Sequence, residues 1–191
     1  MKQKTIPTFT FLMIILMFGV NLKGFCQAKY YKGYVILLTG DTLTGEIRNN
    51  LKKELDNYSK ATFRKTEKDP VKTYRPDKIK EYTVNGTAYI SRNVSGDQVF
   101  VKRLSQGALN LYELQTEVMQ MNDVKVKSDY YMEKGAGEFV KIKSGKFKKQ
   151  LTDVMADNQD VIKDIETEKY EYDNILEVFN AYNKTATAST N

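Results

Sequence analysis

The alternation of apolar and polar side chains between residues 30 and 143 predicts a succession of short strands joined by tight turns. The clearest turn is Asn85-Gly86, because this dipeptide between alternating residues is the strongest short-range signature of a type I′ hairpin. With these two residues as the loop, Tyr82 lies opposite Tyr89. The same pattern predicts a hairpin from residues 98–104 and 108–115 and further strands at residues 61–63, 124–132 and 138–143.

The stretch LLTGDTLTGE, residues 37–46, places two glycines and one aspartate directly after an apolar run. A phosphate-binding loop is excluded because Glu46, and not a lysine, follows the second glycine. A calcium loop needs more oxygen ligands than one aspartate supplies. The stretch is therefore interpreted as a hairpin turn, and a two-residue type II′ loop at Gly40-Asp41 predicts that Leu38 lies opposite Leu43.

The apolar positions change to helical spacing from Lys146 onward. Two predicted helices meet at a break near Asp157, and a third covers residues 172–182. The sequence therefore predicts an α+β fold: an antiparallel, hairpin-rich β-sheet or partly closed barrel followed by two or three C-terminal helices. The predicted divisions are a β region at residues 29–143, a helical segment packed on it at residues 144–182 and a flexible tail at residues 183–191.

The first 28 residues have the pattern of a secretory signal peptide. Lys2 and Lys4 precede an apolar run at residues 9–20, which is shorter than the roughly 20 residues of a membrane-spanning helix. Small residues precede a predicted cleavage position after Ala28. Lipid attachment to Cys26 stays open as an alternative, although a bulky phenylalanine precedes it. The predicted location is exported, either periplasmic or extracellular, and membrane association stays open.

The 191-residue chain contains no histidine and a single cysteine. Removal of residues 1–28 takes away that cysteine and also Lys2, Lys4 and Lys23, which lowers the formal net charge from +6 to +3. Without histidine, a Ser-His-Asp triad, a Cys-His pair and a His-ligated zinc or haem are excluded. The sequence predicts no cofactor and no metal site, and export argues against nucleic acid as a partner.

The cross-strand pair Tyr82 and Tyr89 is a candidate stacking platform for a sugar ring. A role in covering the core is the alternative interpretation, because cross-strand aromatic pairs also stabilise sheets. A basic segment is the second candidate, and in an exported protein it would meet anionic lipid headgroups or acidic glycans. A solvated face is its alternative interpretation. The predicted ligand surface consists of Tyr82, Tyr89, Lys141, Lys143 and Lys146, with Lys148, Lys149, Lys125 and Lys127 as extensions of the basic part.

Two sets of acidic residues complete the candidate chemistry. A glycosidase needs two facing carboxylates in a cleft, and four glutamates fall on predicted strands: Glu46, Glu81, Glu113 and Glu138. The sequence does not select a pair among them. Four aspartates recur at helical spacing, namely Asp153, Asp157, Asp160 and Asp164. They would form a cation-binding stripe only on one continuous helix, so the predicted break favours solvent-exposed acids.

Four segments carry a resemblance to a known family. They are KGYVILLTGDTLTGEIR, YRPDKIKEYTVNGTAYISR, VFVKRLSQGALNLYEL and the helical GKFKKQLTDV…YDNILEVFNAYN. Together they resemble a family of exported Bacteroidetes proteins over residues 31–183. The resemblance implies export and the same succession of hairpins and helices, and it assigns no catalytic residue. Members of that family often have a cysteine near the position of residues 155–157. Asp41-Thr42-Leu43 also resembles the short O-glycosylation acceptor pattern of that phylum.

The function predicted from these features is that of a non-catalytic envelope protein that binds a glycan, an anionic lipid or an envelope protein on its sheet. The alternative is a carboxylate-dependent hydrolase that acts on glycans. A cleft with two inward-facing acids would favour the hydrolase. A shallow groove with tyrosine or apolar lining and no such pair would favour binding.

Overall fold

The computed structural model describes residues 29–49, 54–121, 123–167 and 169–188. The predicted signal peptide and Cys26 lie outside the described residues. The strands are β1 (Tyr30–Leu37), β2 (Thr42–Arg48), β3 (Ala61–Arg64), β4 (Lys72–Tyr74), β5 (Ile79–Val84), β6 (Thr87–Val94), β7 (Asp97–Ser105), β8 (Leu109–Gln120), β9 (Asp123–Lys134) and β10 (Val140–Ile142). The α-helices are α1 (Phe147–Val154), α2 (Gln159–Glu166) and α3 (Ile175–Ala188), and 3₁₀ helices occur at Glu54–Tyr58, Ser144–Lys146 and Tyr172–Asn174.

All ten strands belong to one antiparallel sheet with the order β10-β9-β8-β7-β6-β5-β1-β2-β3-β4. The sheet has two edges, β10 and β4, so it is open. The α+β class and the C-terminal helices are thus as predicted, and the strands form an antiparallel sheet that is not closed. The only departure from sequential pairing is that β5 returns to lie beside β1, which leaves the β2–β3–β4 meander at one end of the sheet.

The Asn85-Gly86 hairpin has the predicted register, with Tyr82 opposite Tyr89 and both loop residues at positive φ. The first hairpin, β1–β2, does not have the predicted register. Leu43 lies opposite Val35 and not opposite Leu38. The strands stop at Leu37 and resume at Thr42, so the connection is longer than the two-residue loop, and the Leu37 N–H donates to the Asp41 carbonyl across it at 2.9 Å.

The shifted register places Gly33 directly opposite Gly45. A Cβ on Gly33 would come within 2.0 Å of the Thr83 carbonyl oxygen, and a Cβ on Gly45 would come within 2.5 Å of the Arg64 carbonyl oxygen. Only glycine allows this close approach of neighbouring backbones. The two glycines therefore allow β1 to approach β5 and β2 to approach β3 closely.

The two sides of the sheet have different covers. Directly paired residues point to the same side, so the registers place Tyr82, Tyr89, Phe100 and Glu113 on one side. We call it the helix face, because helices α1 to α3 pack on its β8–β10 end against Leu109, Leu111, Met132 and Ile142. We call the other side the bare face, since no helix covers it in the described part of the chain.

Each face contributes to a core. The first core lies along β1–β7 and includes Tyr58 from the 3₁₀ helix Glu54–Tyr58, which packs on the helix face beside Tyr89. The second core lies between β8–β10 and the α-helices. The strands β8 and β9 belong to both, because their alternate residues contribute to the first core and to the second.

The helical region follows the predicted pattern with one change. The break falls where it was predicted, near Asp157, and the next residue, Asn158, caps α2 by accepting a hydrogen bond from the Val161 N–H at 3.1 Å. Helix α3 continues past Tyr182 to Ala188, so Asn183 lies in the helix and not in the predicted tail. Residues 189–191 lie outside the described residues. Within the described chain, no helix combines the length and the apolar character needed to cross a membrane.

Candidate functional site

The predicted tyrosine platform is part of the core. The rings of Tyr82 and Tyr89 are stacked at 4.9 Å and 5°, but the two residues are only 1% and 3% exposed. The edge of Phe100 covers Tyr82 and the edge of Tyr58 covers Tyr89. Burial raises the pKa of Tyr89 to about 12. A sugar ring cannot reach either face of the stack, so the core-covering alternative describes this pair.

Glu113 is buried on the helix face and has a full set of partners. Its carboxylate accepts hydrogen bonds from Ser128 Oγ at 2.7 Å, Gln115 Nε2 at 3.2 Å and the Tyr58 hydroxyl at 3.3 Å. The Lys102 ammonium lies 3.9 Å from the same carboxylate. A buried carboxylate is tolerated only with such compensation, and this arrangement ties the 3₁₀ segment to the sheet.

The other three candidate acids do not converge with Glu113 or with one another. Glu81 and Glu46 are on the bare face, the opposite side from Glu113. Their β1 partners, Ile36 and Lys32, are four residues apart, which is about 13 Å along a strand and beyond the spacing of glycosidase acid pairs. Glu138 is exposed in the β9–β10 connection. The four glutamates therefore supply no facing pair.

Both bare-face acids are also already paired. Glu81 accepts a hydrogen bond from the Tyr34 hydroxyl at 2.8 Å and lies 3.6 Å from an Arg103 nitrogen. Glu46 accepts from Arg64 Nε at 2.7 Å. These contacts satisfy the carboxylates within the sheet, so they stabilise strand pairing and leave little reason to assign a proton-transfer role.

The aspartate stripe is scattered by the break between α1 and α2. Asp157 accepts hydrogen bonds from the Tyr182 hydroxyl and from Lys134, and Asp164 pairs with Lys169. Among the described residues, no group of three or more histidine, cysteine, aspartate or glutamate side chains has the arrangement of a metal site. The stripe is thus a set of separate helix-surface contacts.

The predicted basic segment is divided by the sheet. Lys141 lies opposite Tyr131 on the bare face, where its ammonium contacts Asp129 at 2.7 Å. Lys143 and Lys146 follow the end of β10. Lys146 lines an open cavity of about 500 Å³ with Lys148, Lys149, Phe147, Glu171 and Tyr172. The structure therefore separates Lys141 from the lysines of the 3₁₀ turn and α1, which lie together.

A groove of about 490 Å³ lies on the bare face over β5–β8. Part of its charged lining is internally paired: Arg92 donates to Glu133 at 2.8 Å, and Tyr112 donates to the same Glu133 oxygen at 2.7 Å. Burial, followed by that hydrogen bond, raises the pKa of Tyr112 to about 12. These contacts of Glu133 join β6, β8 and β9. The buried Arg92 Nε has no hydrogen-bond partner in the described chain, and Lys80, which also lines the groove, has no ion-pair partner there.

A second cavity of about 490 Å³, which we call the edge pocket, lies between β2 and the β3–β4 hairpin. Its apolar part is built from Leu43 and from Phe63 and Tyr74, whose rings meet edge to face at 6.3 Å. Gly45 makes room for this floor, because a Cβ there would lie 2.7 Å from the Phe63 ring. The rim carries Thr42, Thr44, Lys65, Asp69, Pro70 and Lys72.

The edge pocket carries two lysines whose charge is not used in an ion pair within the described chain. Lys65 and Lys72 are exposed, and neither ammonium has an ion-pair partner within the part of the chain that the structure describes. The one carboxylate of the rim, Asp69, accepts a hydrogen bond from the Thr66 hydroxyl at 2.7 Å. The pocket is therefore positive, partly aromatic and open to solvent.

The sequence pattern missed this pocket. The stretch after Gly40 was correctly interpreted as a turn, but its Thr42–Thr44 end meets Lys72 and Tyr74 only through the β2–β3 and β3–β4 pairings. Strand β4 is three residues long and gives too little alternation to be recognised. The lone signal in the sequence is Gly45, because a glycine inside a predicted strand often indicates a close backbone approach.

The comparisons with known proteins add no relative. No family model matches the chain, and neither the curated proteins nor the solved structures contain a significant match to it. The candidate site is therefore assigned from its own geometry.

Proposed function

We propose that the protein is an exported, non-catalytic binding module of the cell envelope, as its N-terminal segment and its resemblance to exported Bacteroidetes proteins suggest. The support from the molecule is the kind of cavity it has. The cavities are open and shallow, and the candidate glutamates are separated and paired within the sheet. This arrangement favours binding over the carboxylate-dependent hydrolase.

We further propose that the edge pocket binds an acidic glycan. The observation that carries this assignment is the pair of unneutralised lysines, Lys65 and Lys72, beside the half-buried ring of Tyr74. An ammonium group is a strong donor to a carboxylate or sulfate, and an aromatic ring offers an apolar surface to the face of a sugar.

The experiment is a calorimetric titration of the full chain with acidic oligosaccharides (tetragalacturonate, a sialylated and a sulfated oligosaccharide) and with a neutral tetrasaccharide. The expected result is binding of an acidic sugar and not of the neutral one. The double variant Lys65→Gln/Lys72→Gln should bind about tenfold more weakly or worse, since each lost charged contact removes on the order of 1 kcal/mol.

The matched control is Lys32→Gln, which removes an exposed lysine from the neighbouring strand β1 outside the pocket. It should bind like the unaltered chain. If none of the acidic sugars binds at millimolar concentration, or if the control variant loses affinity as much as the pocket variant, the assignment of the edge pocket is wrong.

A further inference from the structure

The β8–β9 hairpin extends beyond the rest of the sheet. Its two strands pair continuously from Leu109↔Lys134 to Gln120↔Asp123. Strand β7 pairs with β8 only as far as Glu113, and β10 pairs with β9 only as far as Tyr130. Residues 115–121 and 123–128, which we call the ribbon, therefore have no neighbouring strand in the described chain.

The tip of the ribbon is apolar and exposed on one side, and Glu117 lies on that side opposite Val126, nearer the base. Met119 lies directly opposite Val124, and Val126 is on the same side, which is the helix face. These residues are 76%, 54% and 57% exposed, and Met121 at the turn is 95% exposed. Adjacent large apolar side chains with this exposure are typical of a surface that binds a membrane or another protein.

Exposed lysines lie beside the base of this strip. Strand β10 runs toward the ribbon and ends with Ile142 opposite Tyr130. The chain then crosses to the helix face, where the Tyr172 ring contacts both Tyr130 at 5.6 Å and Phe147 at 6.0 Å. The exposed lysines of this segment are Lys143, Lys146, Lys148 and Lys149.

The charge of this segment is mostly one sign. The cavity that it lines contains three lysines and one carboxylate, Glu171, whose side chain already caps the Tyr172–Asn174 turn. The other side of the ribbon carries Lys125 and Lys127 together with Asp123. Lys127 pairs with Asp129 at 3.1 Å, so the cationic charge comes from residues 143–149. An apolar projection with cationic side chains at its base is the arrangement by which a peripheral protein enters an anionic bilayer.

We propose that the ribbon is a membrane-docking element: its apolar strip enters the surface of an anionic phospholipid bilayer, and the lysines of residues 143–149 contact the headgroups. The strip and the lysines lie at the β9–β10 end of the sheet, and the edge pocket lies at the β3–β4 end. Membrane docking would thus leave the edge pocket accessible, and the two proposals can fail independently.

The test uses the absence of tryptophan from the chain. In the full-chain variant Met121→Trp, the single indole reports the environment of the ribbon turn alone, whatever other segment contacts lipid. Val124→Trp is a second reporter on the strip. Leu38→Trp is the matched control, because Leu38 is exposed but lies in the β1–β2 connection. Emission is recorded with phosphatidylglycerol vesicles, with phosphatidylcholine vesicles and with brominated lipids of each kind.

The expected result is a blue shift and bromine quenching of the ribbon reporters with phosphatidylglycerol, a much smaller effect with phosphatidylcholine and none for Leu38→Trp. In the Met121→Trp background, Lys143→Gln/Lys146→Gln/Lys149→Gln should weaken binding to phosphatidylglycerol about tenfold or more, given the usual attraction per lysine at an anionic surface. Lys32→Gln/Lys68→Gln/Lys80→Gln removes equal charge from exposed lysines outside both the ribbon region and the edge pocket and should have little effect.

Several outcomes would overturn the proposal. Ribbon reporters that stay in water with every vesicle exclude insertion and leave a protein partner as the occupant of the strip. Equal shifts with both lipids, or an equal loss of binding for the two triple variants, would show that the lysines of residues 143–149 do not select the anionic surface.

Discussion

The side-chain amide of Asn183 joins the last helix to the sheet. Its nitrogen donates to the Leu109 carbonyl at 2.8 Å and to Ser105 Oγ at 3.1 Å, and its oxygen accepts from the Leu109 N–H at 3.0 Å. The position is buried, and Gly107 leaves the space for it, because a Cβ there would lie 2.5 Å from the amide carbon. One amide thus satisfies the backbone groups at the start of β8.

Truncation of this amide should be costly. We expect Asn183→Ala to lower the free energy of unfolding by about 3 kcal/mol, because it leaves the buried backbone groups of Leu109 without these partners. The control Asn180→Ala removes a single hydrogen bond with Ser105 Oγ from an exposed residue and should cost less than about 1 kcal/mol. Urea unfolding of the three proteins measures both values, and equal losses would contradict the account.

A second residue-scale prediction concerns the glycines. Gly33→Ala forces a Cβ against the Thr83 carbonyl of the next strand, so we expect a loss of about 3 kcal/mol or failure of the β1–β5 pairing. Gly145→Ala is the matched control, since a Cβ there meets nothing within 4 Å. It should change stability by no more than about 0.5 kcal/mol. Thermal unfolding of both variants separates steric clash from the general effect of replacing glycine.

Roles of this kind are hidden from a sequence pattern. Asn183 begins a polar C-terminal segment rich in threonine and alanine, which the sequence predicts to be a flexible tail. Its hydrogen-bond partner Leu109 is 74 residues away. Burial of Tyr82 likewise depends on the segment around Tyr58. In that segment, the Asn57 carbonyl accepts a hydrogen bond from the Tyr82 hydroxyl at 2.6 Å. Local pattern predicted that the two tyrosines would pair, and non-local packing decided that they would be covered.

At the scale of elements, turns with a strong local preference were predictable. Asn85-Gly86 sets its own register, because both residues adopt positive φ readily and the loop length is then fixed. The two-residue loop predicted at Gly40-Asp41 gave the wrong register, because a local turn preference does not determine where the paired strands stop, here at Ile36 and Thr42. The edge pocket was unpredictable for the same reason: it requires the alignment of β2, β3 and β4.

The stacked tyrosines make the first core sensitive to alkali. Burial raises the pKa of Tyr89 to about 12, whereas an unfolded tyrosine titrates near 10. The raised folded value means that this contribution to stability is complete below about pH 10 and is lost as the pH rises toward 12.

We therefore expect the free energy of unfolding to fall between pH 9 and pH 11, with Tyr89 accounting for about 1.3 kcal/mol of the loss. In Tyr89→Phe the decline should be smaller by that amount, because phenylalanine has no proton to release. Urea unfolding at the two pH values, with absorbance at the tyrosinate band as a second readout, measures the difference. Parallel pH dependence in the two proteins would contradict the assignment.

At the scale of the whole molecule, the two cores share strands and should unfold together. Leu111 and Tyr112 are neighbours on β8, yet Leu111 packs in the second core under the helices and Tyr112 packs in the first. A strand cannot leave one core and remain in the other without moving both sets of side chains. The Glu113 contacts with Tyr58 and Ser128 add a polar connection between the same regions.

Leu151→Ala tests this coupling, because Leu151 is fully buried in the second core on α1. We expect a loss of about 3 kcal/mol, and hydrogen exchange should record the same loss in the slowest amides of β1 and of α3, although β1 is far from the substituted residue. The control Lys149→Ala, exposed on the same helix, should leave both unchanged. If only α3 loses protection, the helical segment opens by itself and the sheet is the independent folding unit. If both lose it equally, the ribbon and the edge pocket are carried by one cooperative scaffold, and a ligand at either would stabilise the whole chain.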